Sequence, residues 1–84
     1  MTDAGRTRLL AFRLPQSEIH YVRNVLEGYE GLATQTSRPG SNVVVWEVPL
    51  SRLEEALVLF GVLAEELAME RIEDDDRIRL VLSW

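Results

Sequence analysis

At 84 residues, 46% apolar and 27% charged, the chain has the length of one small domain, and its lack of cysteine excludes disulfides and most structural zinc sites. The 14 acidic residues outnumber nine basic ones, and the basic ones, all arginines, are scattered from Arg6 to Arg79. The resulting net charge of −5 argues against a nucleic-acid or anionic-membrane surface, and the absence of lysine removes Schiff-base and P-loop chemistry.

Residues 1–6 are polar and are expected to be a flexible N-terminus, followed by a single domain over 7–84. From Arg8 to Leu14 the side chains alternate, with Leu10, Phe12 and Leu14 on one side and Leu9, Ala11 and Arg13 on the other. A row apolar on both sides predicts a central strand, which Pro15 ends. On a 100° wheel Ile19, Val22, Val25, Leu26 and Tyr29 share one arc and His20, Arg23, Asn24, Glu27 and Glu30 the other, so an amphipathic helix of three to four turns follows, with Gly31 as a left-handed cap. Leu32 to Ser37 predicts a polar edge strand, Arg38-Pro39-Gly40-Ser41 a type II turn, and Asn42 to Val48 the returning strand of a hairpin.

Pro49 breaks that strand, and Ser51 with Glu54 has the spacing of a capping box opening a second helix. Its core arc holds Leu53, Ala56, Leu57, Phe60, Leu63, Ala64, Leu67 and Ala68. Val58, Val62 and Met69 fall on the opposite side, between glutamates. The acidic stretch Glu70 to Arg77 predicts a loop or turn, although the pattern also admits a short extra strand at Met69 to Glu73, and Ile78 to Trp84 alternates as a closing strand. The longest uncharged apolar run, Ala56 to Ala64, falls short of the ~20 residues that cross a bilayer. No secretory leader is read at the N-terminus, so a cytoplasmic protein without membrane contact is expected.

This order, βαββαβ, predicts an α+β ferredoxin-like domain: a four-stranded antiparallel sheet with both helices on one face. The strand ending at Leu14-Pro15, the helix running into Leu26-Glu27-Gly28-Tyr29-Glu30-Gly31-Leu32, and the hairpin before Pro49-Leu50-Ser51 together resemble the ACT domain over roughly residues 7–84. That resemblance implies a regulatory module that pairs with itself and holds a small molecule between subunits. ACT ligand loops after the first strand use an Asp and a Gly. Pro15-Gln16-Ser17-Glu18 has neither here, and Glu18 would repel a ligand carboxylate. The segment Glu27-Gly28-Tyr29-Glu30-Gly31-Leu32-Ala33 and the threonine-containing second strand are also similar to a family of small bacterial proteins of unknown function, which implies no activity.

No catalytic, cofactor or metal constellation converges. His20 and Glu27 lie two turns apart on one helical arc, but a single imidazole supplies neither a metal site nor an acid–base pair by itself. Glu70, Glu73, Asp74, Asp75 and Asp76 lack the alternation, glycine and distal glutamate of a calcium loop. The serines have no histidine in a nucleophile motif, and the first loop lacks the arginine that a small acylphosphatase-like hydrolase would use, so no enzyme is expected. Phe12 and Trp46 invite comparison with an RNA-binding sheet, yet their phase turns both toward the helices.

What remains is an apolar surplus. A lone domain of this size has a thin margin, since burial contributes about 130 kcal/mol and chain ordering costs about 125 kcal/mol. Two surfaces offer a second subunit something to bury: the helical stripe Val58, Val62 and Met69, and the open sheet face with Leu9, Val43 and Val45. The sequence therefore predicts a non-enzymatic homodimeric regulatory or binding module, with no cofactor and no nucleic acid, that takes a small molecule or a protein partner at the subunit interface. A sheet-face RNA binder is the alternative and an acylphosphatase-like hydrolase the third reading.

Overall fold

Leu9 to Arg13 alternate between two faces, and the chain here forms β1 over Thr7–Arg13. The computed structural model describes residues 6–72. Pro15 ends the strand and leads through a single 3-10 turn, Gln16–Glu18, into α1, Ile19–Glu27. Its Val22 and Leu26 are buried and its Ile19 and Val25 pack beside them, as the 100° spacing requires. The helix is shorter than expected. It closes at Gly28, which stays right-handed, and Gly31, at φ +75°, turns the chain three residues later instead of capping the helix.

Leu32 is buried inside the following turn, so β2 begins only at Thr34 and runs to Ser37. Alternation from Leu32, taken as a helix-facing residue of this strand, would turn Thr34 and Thr36 toward the helices, and the phase is the opposite. Thr34 and Thr36 sit across from Glu47 and Val45, while Gln35 sits across from Trp46 on the helix side. Pro39 and Gly40 occupy the centre of the type II turn, with Gly40 at φ +80° and the Ser41 amide donating to the Arg38 carbonyl at 3.0 Å. The hairpin returns as β3, Val43–Pro49.

A second 3-10 turn, Leu50–Arg52, then feeds α2, Leu53–Leu67. The expected capping box is absent. Arg52 holds the N-cap position and no side chain caps the helix, because the 3-10 turn has already consumed Ser51. Ala56, Leu59 and Leu63 are buried, with Leu59 joining the expected arc. Ala68 ends α2 in the left-handed conformation, φ 52° and ψ 39°. Glu70–Ile72 forms β4. The extra strand admitted over 69–73 thus takes a place in the sheet, whereas Glu73 to Asp76 and the expected strand Ile78 to Trp84 lie outside the described residues.

The sheet order is β2-β3-β1-β4 with every neighbouring pair antiparallel. Both helices bury their apolar arcs in the same cluster as Leu10, Phe12, Leu14, Val44, Trp46 and Val48, so both lie on one face of the sheet. At its centre Phe12 meets Trp46 edge-on at 4.6 Å between ring centroids and stacks on Phe60 at 4.7 Å. Such pairs add about 0.5–1.5 kcal/mol each beyond the area they bury. A smaller cluster of Ala11, Val43 and Val45, with Ile72 against it, lies on the other face.

Candidate functional site

The residues singled out as self-association candidates fall into two environments. Along α2, Val58 is 65% and Val62 50% exposed, one turn apart, with Gly61 between them on the same face. Glu54, Glu55, Glu65 and Glu66 flank them and are exposed. Met69 does not extend this stripe. The left-handed residue before it redirects the chain, and Met69 is 3% exposed within the main core. On the sheet, Val43 and Val45 are buried within the chain together with Ala11, and Leu9, at 38%, is the partly open member. At the margin of that face Arg13 faces Glu70 at 3.7 Å, a solvent-exposed ion pair worth little to stability.

The aromatic pair is fully interior, so Phe12 and Trp46 present no stacking surface to a nucleic acid. Trp46 instead anchors a polar link that the sequence reading missed. Its indole N–H donates to Gln35 Oε1 at 2.9 Å, and Gln35 Nε2 donates to the Ile19 carbonyl at 3.2 Å, tying β3 through β2 to the first turn of α1. Gln35 spans the two because it stands opposite Trp46 in the hairpin, a register that the spacing around the turn does not give.

A second link, also unforeseen, joins the two helices at their ends. Arg52 makes a two-pronged contact with Glu55, through Nε at 3.2 Å and Nη2 at 2.7 Å, while its Nη1 donates to the Glu30 carbonyl. The left-handed Gly31 lies against this guanidinium: a Cβ there would stand 3.4 Å from Nη1.

Between these links α1 and β2 leave a groove in two parts that share Arg23. One part, of about 360 Å³, is bordered by Leu26, Glu27, Glu30, Thr34 and Gln35. The other, of about 230 Å³, lies against the type II turn and is bordered by Gln16, His20, Ser37, Arg38 and Ser41. His20 and Glu27 therefore face different parts and form no pair. Among the described residues no group of three His, Asp or Glu side chains is placed to hold a metal ion, and no helix is long and apolar enough to cross a membrane. No family model, curated protein or solved structure matches the chain.

Proposed function

We propose that this chain is a small non-enzymatic binding module of ferredoxin-like, ACT-like architecture that pairs with a second copy through the outer face of α2. The strand order β2-β3-β1-β4, with α1 between β1 and β2 and α2 between β3 and β4, supports the architecture. The pairing is carried by one observation: Val58 and Val62 stand exposed in one line on a helix whose opposite side already fills the core. Gly61 between them has open space where a side chain would be, which lets a second helix approach closely.

A two-fold contact centred on this stripe places the valines inside and the four glutamates at a solvated rim. Their mutual repulsion opposes association and is screened by salt. Sedimentation at micromolar concentration is therefore expected to show a species near twice 9.6 kDa. That species should grow as ionic strength rises from about 0.05 to about 0.5 M. Val62→Glu should return it to monomer while the helical circular dichroism is retained. A monomer at every concentration and salt level overturns the proposal.

A further inference from the structure

The smaller part of the α1/β2 groove is basic on an acidic molecule. Arg23 and His20 reach it from α1, Arg38 from the type II turn, and no carboxylate borders it. Among the described residues neither the Arg23 nor the Arg38 guanidinium has a hydrogen-bond or ion-pair partner. Two cations without a direct ion-pair contact, bordering one concave surface, repel each other, and a bound anion relieves that repulsion. Hydroxyl and amide donors complete the wall. Ser41 Oγ already accepts the Val43 amide at 3.0 Å, which leaves its O–H proton to donate outward, and Gln16 and Ser37 add further donors.

We infer that this recess is a binding site for the phosphate group of a small phosphorylated, hydroxyl-bearing metabolite of the sugar-phosphate class. Two guanidiniums match the charge of a phosphate monoester, about −1.5 to −2 at neutral pH, and each presents a fork of donors suited to its oxygens. The recess, 230 Å³, is smaller than pockets for drug-sized ligands, which begin near 300 Å³, and so suits the head group alone. Past Arg23 the groove widens between Glu27, Glu30 and Thr34, whose oxygens accept from sugar hydroxyls. Those two carboxylates repel a second anionic group, so a single phosphate with a neutral polar body fits best. The site is built within one chain and does not depend on pairing through α2.

Backbone-amide NMR of the full chain, titrated with ribose 5-phosphate, inorganic phosphate, ribose and acetate, tests this. Ribose 5-phosphate should give saturable shifts at His20, Arg23 and Ser37 to Ser41 with a Kd of about 1 mM or below, and inorganic phosphate should bind more weakly at the same amides. Ribose and acetate should leave them unmoved. Arg23→Gln and Arg38→Gln, both at exposed positions, should each weaken ribose 5-phosphate about tenfold with the circular dichroism unchanged. Absence of saturable shifts with ribose 5-phosphate, an equal response to ribose or acetate, or affinity undiminished in both arginine variants overturns the inference. Sedimentation of the same samples reports separately on pairing, so each proposal can fail without the other.

Discussion

Ala68 is the single described non-glycine residue with positive φ, and it does the work that glycine usually does after a helix. A left-handed L-residue costs about 1–2 kcal/mol. Glycine escapes that cost but brings a more disordered unfolded chain, worth about 0.4–1 kcal/mol in the other direction. Ala68 is exposed, so no packing is lost on removing its methyl group. Ala68→Gly should therefore stabilise the fold by about 0.5–1 kcal/mol, read as a higher urea midpoint. A lower midpoint would mean that residue 68 is not left-handed in solution.

The elements are held in register by a small number of polar links laid over an apolar core. Gln35 is the one that joins three of them, satisfying the Trp46 indole and reaching the Ile19 carbonyl. Gln35→Leu is close in size but strands the buried indole N–H without an acceptor, which costs about 1–3 kcal/mol. Urea unfolding followed by Trp emission measures this, and an unchanged midpoint would show that water replaces the amide. The hairpin carrying Gln35 also shows how face and register separate. A tight turn at Arg38 to Ser41 would pair Gln35 with Val44, whereas the strands pair it with Trp46, two residues further on. A shift of two keeps every side chain on its face, so alternation is blind to it.

For the whole molecule, the two valine surfaces behave differently when charged. Val62 is half exposed, so a glutamate there keeps its water and disturbs only a second copy. Val45 is buried against Ala11 and Val43, so Val45→Glu places a carboxylate where no partner awaits it. A loss of more than about 3 kcal/mol is expected, visible as lost circular dichroism at room temperature and not as a clean return to monomer. A folded Val45→Glu chain with native stability would show that this face opens in solution.

Composition, periodicity and turn chemistry were enough to read the order of the elements from Thr7 to Leu67, the core faces of β1, β3 and α1, and the type II turn, because each depends on neighbours within a few residues. The same local signals misplaced the start of β2, where Leu32 is drawn into the core ahead of the strand, and the cap of α2, where a 3-10 turn takes up Ser51. Which valines remain outside was decided in three dimensions: Met69 is turned inward by the left-handed Ala68, and Val43 and Val45 are covered on a face that alternation alone leaves bare. The basic recess arises the same way. Arg23 and Arg38 are 15 positions apart and border one recess only because the packing of α1 beside β2 brings a helix face to a turn, an arrangement that no sequence period encodes.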